Sequence, residues 1–136
     1  MDFPELNETV TTEKALELCE YFELDYLVAR INADPDAYKS WEFDGCSGLP
    51  DRMLGFFTGC HWEDITYKCC LPHDLGYAYG EIGNEAEREE VDKKFYEDLI
   101  REAGMNRWLA SLFYKAVRFF GGKLAHCSFS WGFAHT

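Results

Sequence analysis

The sequence predicts an all-α domain, on three observations. In the longer segments apolar residues recur at intervals of three and four, the repeat of a helix with one buried side. These segments are separated by residues that start or stop helices, namely Thr11 and Thr12, Asn32 to Asp36, Gly80 to Asn84, Gly104 and Gly121-Gly122. A chain of 136 residues, 47% hydrophobic, is long enough for one core and too short to expect two. Residues 1–136 are therefore read as a single domain, with no internal repeat and no low-complexity stretch.

Taken in order, Thr11 or Thr12 caps a helix whose apolar side is Ala15, Leu16, Leu18, Cys19, Phe22, Leu27 and Val28, and which is predicted to run to about Ile31. Asn32-Ala33-Asp34-Pro35-Asp36 breaks it, and a short helical piece is expected around Ala37 to Trp41. Phe43 to Gly59 reads as a loop, with glycines at 45, 48, 55 and 59 and a proline at 50; its length and aromatic content mark it as functional. Trp62 to about Tyr79 reads as a helix that starts near Pro72 or is kinked there. After the turn at Gly80 to Asn84, a third helix spans Glu85 to Ala103 and packs antiparallel to the second. Val91, Phe95 and Leu99 share one side of it with Asp92 and Tyr96, and a carboxylate in an apolar stripe predicts a partner. Trp108 to Phe120 forms a fourth helix, stopped by Gly121-Gly122. In the tail, Phe129, Trp131 and Phe133 alternate, as in a short strand or an extended segment packed on the helices.

The net charge of −12 argues against nucleic acid as a partner, because binding a polyanion needs Lys and Arg to displace its counterions. It disfavours adsorption to strongly anionic membranes, and it is compatible with a zwitterionic surface and with a divalent cation held by carboxylates. No run reaches the 18 or so apolar residues of a spanning helix, and Met1-Asp2-Phe3-Pro4-Glu5 lacks the basic-then-apolar pattern of a secretory signal. Six cysteines (Cys19, Cys46, Cys60, Cys69, Cys70 and Cys127) point to an oxidising compartment. The expectation is a secreted or otherwise extracytoplasmic protein after loss of its signal; a cytosolic protein with free thiols is the alternative.

The chemistry gathers around Cys69-Cys70-Leu71-Pro72-His73-Asp74-Leu75-Gly76-Tyr77. Neighbouring helical residues point roughly 100° apart, so His73 and Asp74 can serve different partners. By itself such a pair reads most simply as a core histidine beside a surface carboxylate. Two further pieces change that: Asp44-Gly45-Cys46 in the glycine-rich loop, and Asp92 on the apolar side of the next helix.

Together these motifs resemble the secreted phospholipase A2 superfamily, in its small bacterial and fungal branch. The resemblance is carried by Asp44-Gly45-Cys46-Ser47, Pro50-Asp51, Gly55-Phe56, Cys70-Leu71-Pro72-His73-Asp74-Leu75-Gly76-Tyr77 and Val91-Asp92-Lys93-Lys94-Phe95-Tyr96-Glu97-Asp98, and it covers roughly residues 40 to 120. It implies two antiparallel, disulfide-tethered catalytic helices flanked by N- and C-terminal helices. It also implies calcium-dependent hydrolysis of the sn-2 ester of glycerophospholipids at a membrane surface or micelle. His73 would be the base that activates water, and Asp92 would hold the other imidazole nitrogen. Ca2+ would bind Asp74, the Asp44 side chain and the Gly45 carbonyl, and would polarise the ester. Cys46 would pair with Cys70, fastening the calcium loop to the catalytic helix. Tyr77, Phe56 and Phe95 are candidates for the substrate pocket, and Phe43, Met53, Leu54, Phe56 and Phe57 for a lipid-facing rim; a monomer is assumed.

The sequence departs from that branch at three places. Cys60 to Tyr67 looks like an insertion that enlarges the loop before the catalytic helix, Cys69 has no counterpart, and Ala103 stands where the family has a helix-ending cysteine. Cys19 with Cys127, and Cys60 with Cys69, are conceivable bridges that spacing does not decide. Two other functions follow from these features. One is a catalytically silent protein of the same fold that binds lipid, calcium or a partner, with the enlarged loop over its pocket. The other is a zinc-binding module using Cys60-His61 and Cys70 with His73.

Overall fold

In the computed structural model, residues 1–45, 59–122 and 130–136 are described. Helices dominate: α1 (Thr12–Tyr21), α2 (Asp25–Ala33), α3 (Trp62–Asp64), α4 (Leu71–Ala78), α5 (Glu85–Arg101) and α6 (Arg107–Phe120). Two short strands, β1 (Thr9–Val10) and β2 (Trp41–Glu42), pair antiparallel, with Thr9 opposite Glu42 and Val10 opposite Trp41. The all-α expectation therefore holds with one small sheet added.

Three boundaries differ from the sequence reading. The N-terminal helix is two helices, because Glu23 adopts φ +59°, a left-handed conformation that no helix interior tolerates. Thr11 is the cap of the first, its hydroxyl accepting from the Lys14 amide. The helical piece expected at Ala37 to Trp41 is a single 3₁₀ turn at Pro35–Ala37, and Trp41 belongs to β2. Among the described residues of the C-terminal tail the expected strand or extended segment is replaced by a turn. Residues 131–134 turn, and their amides cap the end of α4, Gly132 donating to the Tyr77 carbonyl and Ala134 to the Ala78 carbonyl.

The enlarged loop expected before the catalytic helix is largely helical. α3 passes into a π-helical segment, Ile65–Cys70, which passes into α4. The wider turn solves the problem set by Pro72, which has no amide hydrogen and would clash with the carbonyl four residues back in a continuous α-helix. With the change of pitch just upstream, Pro72 falls in the first turn of α4, where no intrahelical donor is required. Ile65 and Cys69 are buried against Leu99, Met105 and Ala110, so this segment is part of the core.

The stretch 65–79 is the hub. Leu71, Leu75, Ala78 and Tyr79 enter a core with Leu18, Leu27, Ile31 and Phe43, while Ile65, Cys69 and Cys70 enter a second one with Phe95 and Leu99. Every residue of α4 except His73 is buried. A helix enclosed on all sides gives its few polar groups fixed surroundings.

Candidate active site

His73 and Asp92 face each other across α4 and α5. Gly76 allows this approach, since a Cβ there would sit 2.8 Å from a Val91 methyl. His73 Nε2 lies 2.8 Å from Asp92 Oδ1, and the two side chains are 10% and 0% exposed. The imidazole is held between two rings, Tyr77 and Phe95, each with its centroid 4.5 Å away.

The partner expected for Asp92 is in fact a set. The Tyr77 hydroxyl donates to Oδ1 at 2.8 Å, and Arg118 donates to Oδ2 at 2.9 Å, with Arg88 at 3.5 Å. Arg88 also donates to the Tyr77 oxygen and to the Val117 carbonyl, and both guanidiniums share Glu85. Asp92 accepts from the Tyr77 hydroxyl and from both guanidiniums, the pattern of a carboxylate, which only accepts hydrogen bonds. The proton between the pair therefore belongs to His73 Nε2, and Nδ1 of the neutral ring is left as an acceptor. Burial, with the Asp92 charge beside it, pushes the Tyr77 phenol well above its ordinary range, so that it stays a donor.

Asp74 points elsewhere. Asp44, Asp74, Glu42, Trp41, Asn7, Ser40 and Phe133 line a cavity of about 410 Å³ that is separate from the His73–Asp92 contact. Two anchors hold the Asp44 segment there. Phe43 is fully buried, with backbone bonds to Asn7 and Glu8, and Trp41 Nε1 donates to the Tyr79 hydroxyl at 3.0 Å. Gly45 follows at φ +74°, a conformation open to glycine that turns the backbone sharply after Asp44. The carboxylates of Asp44 and Asp74, with Glu42 on the same wall and the neutral oxygens of Asn7 and Ser40, are a hard donor set that suits calcium. No third His, Cys, Asp or Glu joins them at ligating distance among the described residues, so a cation held there would take its other oxygens from backbone carbonyls and solvent.

His73 and Phe95 line a second cavity, of about 360 Å³, with Leu24, Pro72, Gly76 and Val91. Tyr77 lines neither of these two cavities, and its hydroxyl donates to Asp92. Phe43 is core and cannot form a lipid-facing rim. Phe56, Met53, Leu54, Phe57, Cys46 and Cys127 lie outside the described residues.

The geometry is that of a histidine held by a buried aspartate, one helical position from a second aspartate in an oxygen-lined cavity. A family model described as prokaryotic phospholipase A2 matches residues 20–121. The chain belongs to the prokaryotic phospholipase A2 family. No curated protein and no solved structure gives a significant match. The family match spans both helices of the dyad, the Asp44-Gly45 segment and all of α6, for it ends at Gly121, directly after that helix.

Membership in a phospholipase A2 family leaves the cysteines to be read from the structure. Cys70 is buried and disulfide-bonded, which removes it as a zinc ligand, and His73 is engaged with Asp92; the zinc module loses two of its four residues. Cys19 and Cys69 are buried free thiols, so neither conceivable bridge that used them is formed.

Sequence reasoning missed Arg88 and Arg118. Arg88 stands four residues before Asp92 on the same helix, a spacing that pairs charges and was legible. Arg118 reaches Asp92 from α6 and has no local signal.

Proposed function

We propose that this protein is a calcium-dependent phospholipase A2 that hydrolyses the sn-2 ester of glycerophospholipids at a membrane surface or micelle. The observation that carries the reading is the 2.8 Å contact of His73 Nε2 with the fully buried Asp92. That contact fixes the tautomer and leaves Nδ1 as a base. His73 Nδ1 takes a proton from water as the oxygen forms its bond to the ester carbon, and returns it to the departing glycerol oxygen as the ester bond breaks. Asp92 stabilises the imidazolium between these events, and Arg118 with Tyr77 keeps Asp92 in position. Asp44, Asp74 and the Gly45 carbonyl would hold Ca2+, which would supply a Lewis acid and a counter-charge for the carbonyl oxygen. The apolar cavity beside His73 and Phe95 would receive acyl chain.

Cys46 is taken as the partner of Cys70, which would tie the calcium loop to the catalytic helix and fits an extracytoplasmic location. The test is release of fatty acid from a mixed-micelle phospholipid, with calcium and with chelator. Activity is expected only with calcium and is expected to vanish in His73→Ala. Turnover in excess chelator, or turnover surviving that substitution, would sink the mechanism. Calorimetric calcium binding without turnover on several phospholipids would favour a silent binding protein instead.

A further inference from the structure

The outer side of α6 is apolar where a surface helix is ordinarily polar. Its inner residues, Leu109, Ala110, Phe113 and Val117, pack toward Ile65, Phe95 and Leu99. The opposite stripe runs Trp108, Leu112, Lys115, Phe119, spaced as neighbours along one helical face. Trp108 is 72% exposed, Phe119 76% and Leu112 44%, and Phe120 stands edge-on to Phe119. Large exposed side chains gathered on one stripe mark an interaction surface.

Charge narrows the occupant. α6 carries Arg107 and Lys115 besides Arg118, which is turned inward to Asp92 and Glu85, and it has no acidic residue, in a chain whose net charge is −12. A second copy docked through the same face would bring its cations against these, since a two-fold interface pairs a patch with itself. Aromatic residues interleaved with Lys and Arg on one helix face suit the boundary between headgroups and acyl chains, where the rings insert and the cations meet anionic headgroups. The acidity that argues against adsorption of the whole molecule then selects this face, as the one where repulsion is locally reversed.

We propose that the outer face of α6 is the surface by which the protein lies on a bilayer containing anionic phospholipid, with Trp108, Leu112 and Phe119 inserted and Arg107 and Lys115 over the headgroups. The choice of lipid as occupant rests on the phospholipase reading. The inner face of the same helix carries Arg118 to Asp92 and the Val117 carbonyl to Arg88, so the docking surface and the dyad share one rigid element.

Binding is measured by co-sedimentation with vesicles of phosphatidylcholine and phosphatidylglycerol, and of phosphatidylcholine alone, in excess chelator so that hydrolysis does not intervene. The protein is expected to sediment with the mixed vesicles and more weakly with the neutral ones. Trp108→Asp with Phe119→Asp is expected to weaken partitioning by about tenfold or more, since each ring forfeits its buried apolar area. Both positions are exposed, and circular dichroism of the double variant checks the fold. Trp108→Phe is expected to keep binding and to lose most of the blue shift of tryptophan emission, Trp41 and Trp131 being only 7% exposed and Trp62 half-buried on α3. Unchanged sedimentation of the double variant, or equal binding to both vesicle types, would overturn the proposal. So would a wild-type dimer in sedimentation velocity that the double variant dissolves. Turnover of a short-chain phosphatidylcholine below its micelle concentration reports on catalysis separately. Loss of vesicle binding with that turnover retained supports docking through α6, whereas vesicle binding with no turnover in any form refutes only the phospholipase reading.

Discussion

Asp92→Asn is the substitution whose consequences the structure fixes most closely. The carboxylate is fully buried and accepts from His73, Tyr77 and Arg118 within 2.9 Å, and from Arg88 at 3.5 Å. An amide offers one accepting oxygen and one NH2. If the oxygen faces His73 and Tyr77, the NH2 is aimed at two guanidiniums; if it is flipped, His73 loses its acceptor. Removing one partner of a buried ion pair costs about 3 to 5 kcal/mol. The lower end applies here, because both arginines keep Glu85, at 2.6 and 2.7 Å. The kinetic cost is set by the His73 bond. A hydrogen bond to a charged group contributes about 1.5 to 3 kcal/mol, which corresponds to a fall in kcat of roughly 10- to 150-fold. A bare imidazolium–carboxylate pair would suffer more, but Arg118 and Arg88 already offset part of the Asp92 charge. The assay is the initial rate of fatty acid release by pH-stat at saturating calcium, with a urea midpoint on the same preparation. A folded variant with kcat within twofold of wild type would refute the pairing as part of the mechanism. Tyr77→Phe is the control: it loses one donor to Asp92, leaves the His73 contact in place, and is expected to retain most of the activity.

Three further outcomes follow from the packing. Gly80→Ala places a Cβ inside the Trp131 ring, which is pinned by its 2.7 Å bond to the Glu81 carbonyl, so a loss of about 1 to 3 kcal/mol is expected from overpacking and is read from urea unfolding. Thr66 is fully buried and its hydroxyl has no hydrogen-bond partner among the described residues; Thr66→Val is expected to raise the urea midpoint, by about 1 kcal/mol, and a lower midpoint would show the hydroxyl to be engaged. Burial raises the Cys19 thiol from 9.0 to about 12, so it is expected to resist iodoacetamide at pH 8 until the protein is unfolded, as is Cys69, which burial raises further. The unfolded chain gives up the Cys19 proton near pH 9.0 while the folded one keeps it, so this thiol's contribution to stability is whole below that pH and is lost as pH rises toward about 12.

The sequence by itself determined the fold class, the helices that bear chemistry and the pieces of the site. His73, Asp74 and Asp92 were legible because helical periodicity turns a spacing into a direction, and because a carboxylate inside the stripe Val91, Phe95, Leu99 requires a partner. The first cap was equally local: Thr11 bonds the amide three residues on, as do Asn84 and Asn106, which sequence reasoning missed as caps. What the sequence left open was non-local. The path around Pro72 depended on a change of helical pitch that the neighbouring core residues Ile65 and Cys69 stabilise, and a run of residues cannot announce it. β1 and β2 are two residues each, too short for any periodic signal, yet they bring Asp44 to the cavity of Asp74. Arg118 reaches Asp92 from 26 positions away. On α6 the sequence offered apolar residues all round, and only the packing showed which side is buried and which is turned outward. In each case the deciding contact joins segments far apart in the chain, and such contacts exist only once the helices have packed.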